Sequence, residues 1–137
     1  MIFYFRVDGA NPITAITKNI NVDEEGPPVD FCFRETGSNP LIVYATAYGA
    51  IVGFDLRCNT PAFRLENDLH EGLQTSIAMS SDQCWMVNGT SSGVISCWDL
   101  RFQLPIGKKM TNHCTSFDFL LQFFKKWPFF SQMYASS

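Results

Sequence analysis

The stretches Phe54-Asp55-Leu56-Arg57 and Trp98-Asp99-Leu100-Arg101 carry an aromatic residue, an aspartate, a leucine and an arginine in the same order, 44 residues apart. Without a gap, the same offset aligns several residues that precede them: Ile42 with Met86, Val43 with Val87, Thr46 with Thr90, Gly49 with Gly93, and Ile51 with Ile95. An internal repeat of this kind indicates two copies of one supersecondary unit.

Each copy contains two β-rich runs joined by a turn with glycine, which is the pattern of a β-hairpin. The other runs predict an outer strand in the first copy and an inner strand in each copy, with a loop after the first inner strand. The hairpin strands are residues 41–46 and 50–54 in the first copy and 84–87 and 94–98 in the second. The predicted outer strand is 60–65, the inner strands are 30–33 and 75–79, and the loop is 35–40. Four-stranded units that repeat every 40–45 residues or so are typical of WD-repeat β-propellers. The predicted fold class is therefore all-β, a partial WD-repeat propeller of about two four-stranded blades with a non-propeller C-terminal tail.

The repeat divides the chain of 137 residues into four predicted parts. These are an N-terminal segment that could end a preceding blade (1–28), two WD blades (29–68 and 69–106) and an aromatic-rich tail (107–137). The tail has three interpretations: an interfacial membrane segment, a short helix packed on the blade edge, or sequence foreign to the propeller from a truncated or misassembled gene.

Six residues form the repeat signature, and we expect them to be structural. They are Gly49, Phe54, Asp55, Gly93, Trp98 and Asp99. The aromatic residue is expected to pack between adjacent blades, and the aspartate to accept backbone N–H bonds in the next turn. The Gly-His pair of typical WD repeats is incomplete, because Leu69 precedes His70, and Tyr48 and Ser92 replace the usual turn aspartate. We therefore expect the usual His–Asp–Ser/Thr–Trp network to be absent and the blades to rely on apolar packing.

Composition argues against several function classes. The net charge of −3 and pI near 5.2 give no basic surface for nucleic acid. The five scattered cysteines form no C-x-x-C pair, so neither a metal site nor a disulfide framework is expected, and buried reduced thiols fit better. Potential acids and bases (His70, Glu71, Asp82, His113) show no catalytic spacing, so no catalytic residue and no cofactor site is predicted. Asn88-Gly89-Thr90 matches the N-glycosylation sequon, but we interpret the Asn-Gly pair as a turn or a strand end.

Two longer stretches resemble one particular family. They are Val43 to Gly49 continuing through Val52 to Arg57, and Gln83-Cys84-Trp85 followed by Gly89 to Ile106. Both are similar to the C-terminal WD propeller of the regulatory subunit of class III phosphatidylinositol 3-kinase, the vacuolar protein sorting fifteen family. The continuation Arg101-Phe102-Gln103-Leu104-Pro105-Ile106 is the most specific part. The resemblance covers about residues 22–106, so the chain corresponds to a fragment of such a propeller. Its abrupt end at a position inside the fold favours the third interpretation of the tail, a sequence foreign to the family.

The resemblance implies a non-catalytic scaffold for the lipid-kinase complex of autophagy and endosomal or vacuolar sorting. The implied partners are the lipid kinase catalytic subunit and its coiled-coil subunits, with membranes contacted only through the complex. The implied location is cytoplasmic, peripherally on endosomal and autophagic membranes. No kinase motif of the family's separate kinase-like domain is present. The alternative is a WD-repeat adaptor of another multiprotein complex. About two blades cannot close a propeller, so we expect the isolated chain to be marginally stable.

Overall fold

The structure is a computed structural model that describes residues 2–4, 7–8, 11–12, 16–36, 39–55, 57 and 60–110, with side chains described over 19–34, 40–55, 57 and 60–110. Its N-terminal part contains two small antiparallel sheets, in which β1 pairs with β4 and β2 with β3. The bounds are β1 Ile2–Tyr4, β2 Val7–Asp8, β3 Asn11–Pro12 and β4 Ile16–Lys18, followed by the helix α1, Val22–Glu25.

Two four-stranded antiparallel sheets follow, and each is a meander in which consecutive strands are neighbours. The first sheet consists of β5 Pro28–Thr36, β6 Asn39–Thr46, β7 Ala50–Asp55 and β8 Thr60–Glu66. A 3₁₀ helix, Leu69–Glu71, connects it to the second sheet. The second sheet consists of β9 Gln74–Met79, β10 Trp85–Thr90, β11 Val94–Asp99 and β12 Leu104–Met110.

The central hairpins of the two sheets have the same register, as the 44-residue repeat predicts. Val43 pairs with Gly53 in the first sheet, and Val87 pairs with Cys97 in the second. The tight turns depend on Gly49 and Gly93, whose φ angles of 100° and 78° lie in the left-handed region that favours glycine.

The core lies between the two sheets. Both sheets contribute buried side chains to one apolar cluster: Leu41, Val43, Ala45, Ile51, Phe63 and Leu65 from the first, and Ile77, Met86, Trp98 and Leu100 from the second or its closing turn. Face-to-face burial of this kind removes apolar surface from water and holds adjacent blades together. The predicted all-β fold, a partial β-propeller of two four-stranded blades, is confirmed.

The structure differs from local expectations at three places. The loop predicted over residues 35–40 is largely strand, because β5 runs to Thr36 and β6 begins at Asn39. Asn88 and Gly89 lie in β10 close to its end at Thr90, as one of the two interpretations had it, and not at a turn. Residues 107–110, assigned to the tail, belong to β12, so the second blade has its outer strand.

The exact division of the chain into four parts remains a prediction. Residues 111–137, which include the remainder of the aromatic tail, lie outside the described residues. The three interpretations of that tail therefore remain as the sequence left them. Leu56, which belongs to the first blade signature, also lies outside them.

Candidate functional site

The aspartate and the arginine of each blade signature form a hydrogen-bonded ion pair. Asp99 Oδ1 accepts hydrogen bonds from the Arg101 backbone N–H at 2.9 Å and from Nε at 3.1 Å, and Oδ2 accepts from Nη2 at 2.7 Å. Asp55 and Arg57 repeat the arrangement at 2.8, 3.2 and 2.9 Å. Side-chain hydrogen bonding from Arg101 lowers the pKa of Asp99 below its usual value. The backbone bond expected from each aspartate is present, and it fixes the turn into the outer strand.

Trp98 lies where the sequence predicted, buried between the two blades. Its indole Nε1 donates a 2.7 Å hydrogen bond to Oδ1 of Asn88, whose side chain is fully buried on the neighbouring strand. The expectation that the blades rely on apolar packing was therefore incomplete, because Asn88 supplies the polar partner that the tryptophan needs. The location of Asn88 in the core also makes it inaccessible to glycosylation in the folded chain.

Phe54 occupies the equivalent position in the first blade but faces away from the second. It packs with Ile42, Tyr44 and Val52, and Ile20 contacts this cluster. Signature aromatics thus lie on the same face of each sheet, as the repeat predicts. Only Trp98 belongs to the junction between the two described blades.

Three hydrogen bonds between described residues cross the junction. The Ile77 backbone N–H donates to Asp30 Oδ2 at 2.9 Å, and the Gln74 N–H donates to the Ala47 carbonyl at 2.9 Å. The Ser96 hydroxyl donates to Asn67 Oδ1 at 3.3 Å. Asp30, Asn67, Gln74 and Ser96 have no signature in the sequence, since their importance depends on how the sheets pack together.

Gly53 accommodates the Phe63 ring in the first blade, whereas Gly107, in the corresponding strand pair of the second blade, has open space around it. In the first, Gly53 pairs with Phe63, and a Cβ on Gly53 would lie 2.2 Å from the phenyl ring. In the second, Cys97 pairs with Gly107 at the corresponding place.

The candidate acids and bases are separated in the described part of the chain. His70 and Glu71 lie on the 3₁₀ helix, where Glu71 forms an ion pair with Lys108. Asp82 lies in the turn between β9 and β10, where it accepts bonds from the Ser80 hydroxyl and the Cys84 N–H. His113 lies outside the described residues. No common site therefore joins the described candidates.

The described cysteines are free and half-buried: Cys32, Cys84 and Cys97. Burial raises the pKa of Cys32 to about 12 and that of Cys97 to about 11, so both thiols stay protonated at neutral pH. Within residues 19–34, 40–55 and 60–110, no group of three metal-ligating side chains comes together. Cys58 and Cys114 lie outside the described residues. None of the helices described for this chain is long and apolar enough to cross a membrane.

Two exposed clusters contain aromatic side chains. Phe31 and Phe33, on the inner strand β5, are exposed and pack edge to face with ring centroids 6.3 Å apart. On the second blade, the Arg101 guanidinium lies 5.0 Å from the Trp85 ring centroid and 5.5 Å from that of Phe102. Exposed aromatics and arginine are the side chains that protein interfaces favour.

Comparisons with curated proteins show similarity to proteins named as VPS15 serine/threonine-protein kinases. The chain is 40% identical over 89 residues to the probable serine/threonine-protein kinase vps15 of Dictyostelium discoideum, covering 65% of the chain and 4% of that protein. Identity is 36% over 69 residues to VPS15 of Arabidopsis thaliana (50% and 5% covered) and 32% over 66 residues to VPS15 of Saccharomyces cerevisiae (48% and 4%). The chain therefore spans only a small part of the relatives' length.

Solved structures share the arrangement of strands at low sequence identity. A eukaryotic initiation factor superposes with a TM-score of 0.53 at 19% identity, over 74% of the chain and 25% of that structure. The β-propeller domain of Cps50 (Swd1) from Myceliophteria thermophila gives a TM-score of 0.47 at 14% identity, over 63% of the chain and 28% of the domain. No protein-family model matches the chain.

Proposed function

We propose that this chain, a WD-repeat segment similar to the VPS15 proteins, is a non-catalytic scaffold in a class III phosphatidylinositol 3-kinase complex. The observation that carries the proposal is the 40% identity over 89 residues, in a chain whose two blades pack as adjacent units of a propeller. Propeller blades hold loops and exposed side chains on a rigid backbone, which suits them to binding other proteins.

The relatives are named as kinases, but the proposed role of this segment involves no phosphoryl transfer. The chain spans 4% of the Dictyostelium protein and carries no kinase motif. Its candidate acids and bases lie on separate elements, on the 3₁₀ helix and in the β9–β10 turn. Scaffolding needs only surfaces, and the exposed aromatic clusters at Phe31 and Phe102 supply them.

The proposed partners are the lipid kinase catalytic subunit and its coiled-coil subunits. The proposed process is the production of phosphatidylinositol 3-phosphate in autophagy and in endosomal or vacuolar sorting. We place the chain in the cytoplasm, where it would reach endosomal and autophagic membranes only through that complex. The acidic balance of the chain, with a net charge of −3, agrees with indirect rather than direct contact with anionic lipids.

A pull-down with purified components tests the proposal. The tagged full chain is mixed with the class III lipid kinase catalytic subunit and its coiled-coil subunits, and bound protein is quantified. The matched control is Trp98→Ser, which removes the aromatic side chain from the blade junction. Recovery by the natural chain together with loss by the variant supports the scaffold. No recovery by a natural chain whose circular dichroism is β-rich, or equal recovery by both, contradicts it.

A further inference from the structure

An open cavity of about 450 Å³ lies beside the turn between β6 and β7. Residues of helix α1, of the end of β8 and of the 3₁₀ helix line it together with the turn. We call this cavity the acidic groove. Neither the blade signatures nor the proposed function accounts for it.

The acidic groove has exposed apolar side chains at its margin. Tyr48 is 43% exposed and Leu69 is 55% exposed, and both line the cavity. Tyr48 comes from the β6–β7 turn, whereas Leu69 begins the 3₁₀ helix. Two large apolar side chains at the edge of a concave surface provide area for an apolar partner side chain to bury.

The charge of the groove is predominantly negative. Its lining includes four carboxylates, Glu24, Glu25, Glu66 and Asp68, and one guanidinium. That guanidinium, of Arg64, donates to Glu25 at 2.7 Å and to Glu66 at 3.0 Å. The ion pairs therefore balance Arg64, and Glu24 and Asp68 leave the lining with a net negative charge. Asp68 Oδ1 also accepts a hydrogen bond from the His70 backbone N–H at 3.0 Å.

Backbone hydrogen bonds hold the walls of the groove in place. The Tyr48 N–H donates to the Glu25 carbonyl at 3.1 Å, which joins the turn to helix α1. The Asn67 N–H donates to the Gly49 carbonyl at 2.9 Å, which joins the turn to the end of β8. A site whose walls are already ordered loses less conformational entropy when a ligand binds.

From these observations we propose that the acidic groove binds a short segment of a partner protein in which an apolar side chain is flanked by lysine or arginine. The apolar side chain contacts Tyr48 and Leu69, and the basic ones face Glu24 and Asp68. Complementary charge selects such a segment and repels phosphate-bearing ligands. The proposal rests on the scaffold function and specifies the chemistry of one docking segment.

The test uses the ¹⁵N-labelled full chain and a capped hexapeptide, glycine-lysine-leucine-arginine-phenylalanine-glycine. We expect amide shifts in the β6–β7 turn and the 3₁₀ helix, and weaker binding in high salt because the charges are exposed. A second peptide with glutamate in place of both basic residues is expected to cause no shift. Equal shifts with both peptides, or shifts elsewhere only, overturn the proposal.

Matched variants separate the groove from the rest of the surface. Glu24→Lys and Leu69→Ser are each expected to weaken peptide binding by about threefold to tenfold. The controls are Asp23→Lys, beside Glu24 but outside the lining, and Leu104→Ser, at an exposed apolar residue elsewhere. Equal weakening by variants and controls contradicts the groove as the site.

The remaining outcomes are also decisive. If raising the protein concentration alone shifts the same amides, a second copy of the chain occupies the groove and the proposal is wrong. If the pull-down recovers the lipid-kinase subunits but the peptide leaves the groove amides unshifted, the scaffold function is upheld and the groove proposal fails. If the peptide binds while the pull-down fails, the groove proposal holds and the identity of the complex is wrong.

Discussion

The indole of Trp98 and the amide of Asn88 form a buried hydrogen bond of 2.7 Å on neighbouring strands of the second blade. Replacing Trp98 with phenylalanine keeps an aromatic ring at the blade junction but removes the donor. The Asn88 Oδ1 then loses this partner in a buried site, which costs about 1–3 kcal/mol of unfolding free energy. Urea denaturation of the natural chain and of Trp98→Phe measures the difference.

A double-mutant cycle with Asn88→Ala isolates the hydrogen bond from the loss of ring area. We expect Trp98→Phe to be less destabilising when Asn88 is already alanine, with a coupling of about 0.5–3 kcal/mol. Additive effects of the two substitutions would show that the pair contributes no specific stability.

Asp99 gives the second blade a dependence on pH. Its pKa is lowered in the folded chain, mainly by side-chain hydrogen bonds from Arg101, so the folded state favours the carboxylate. The stabilisation is therefore present above the unfolded pKa, which is about 4, and is lost as pH falls through the lower folded pKa. Asp99→Asn should reduce stability at pH 7 by about 1–3 kcal/mol, and its stability should fall less in acid.

Urea midpoints between pH 7 and pH 2.5 check this expectation. Asp23→Asn serves as the control, because the Asp23 side chain is exposed on helix α1. Parallel pH profiles for the natural chain and Asp99→Asn would show that the Asp99 and Arg101 pair does not contribute to the acid sensitivity.

The close approach of Gly53 to the Phe63 ring predicts that substitutions at the two positions interact. Gly53→Cys places a Cβ 2.2 Å from the Phe63 ring, so we expect a loss of about 1–3 kcal/mol from overpacking. Phe63→Gly removes a buried ring and should cost at least about 3–5 kcal/mol. Phe63→Gly removes the ring that the new Cβ at position 53 would meet. The double variant should therefore be more stable than the sum of the single effects predicts.

Differential scanning calorimetry of the three variants, with the natural chain as reference, measures this coupling. The conservative control is Ala62→Gly, next to Phe63 at an exposed position of the same strand. If the loss of stability in the double variant equals the sum of the two single losses, the clash between a Cβ at position 53 and the Phe63 ring does not cause the instability of Gly53→Cys.

The sequence predicted the parts of the fold that depend on local pattern. Glycines at 49 and 93 and the alternating β-rich runs determine the hairpins, because turn geometry and strand pairing act over a few residues. The 44-residue offset then gave the second copy. The sequence also predicted that Asp99 accepts a backbone N–H in the turn that follows it, because this bond joins residues only two positions apart.

The junction and the groove could not be predicted in the same way. The Asn-Gly pair predicted a turn or a strand end, but not that the Asn88 side chain accepts a hydrogen bond from Trp98 on the neighbouring strand. Asp30 lies 47 residues from Ile77, whose backbone N–H donates a hydrogen bond to it. The acidic groove combines helix α1 with the 3₁₀ helix across an intervening sheet. Such long-range relationships depend on how the sheets pack, and a single sequence does not record it.

Asp30 connects the inner strands of the two blades, which predicts a local effect that hydrogen exchange can detect. Its Oδ2 accepts the Ile77 N–H at 2.9 Å, and Ile77 is buried in the core between the sheets. Asp30→Ala leaves that N–H without its acceptor, which costs about 1–3 kcal/mol. The Ile77 amide should then exchange roughly ten to a hundred times faster, since each 1.4 kcal/mol corresponds to about a factor of ten.

The matched variant Asp30→Asn retains an oxygen that can accept the same hydrogen bond, so its Ile77 amide should stay closer to the natural chain. The amide of Val87, which pairs within the second sheet, serves as the internal reference. Faster exchange at Ile77 than at Val87 in Asp30→Ala would show that this carboxylate couples the blades. Equal acceleration at both amides would mean that the substitution destabilises the chain as a whole, and that Asp30 has no specific role at the junction.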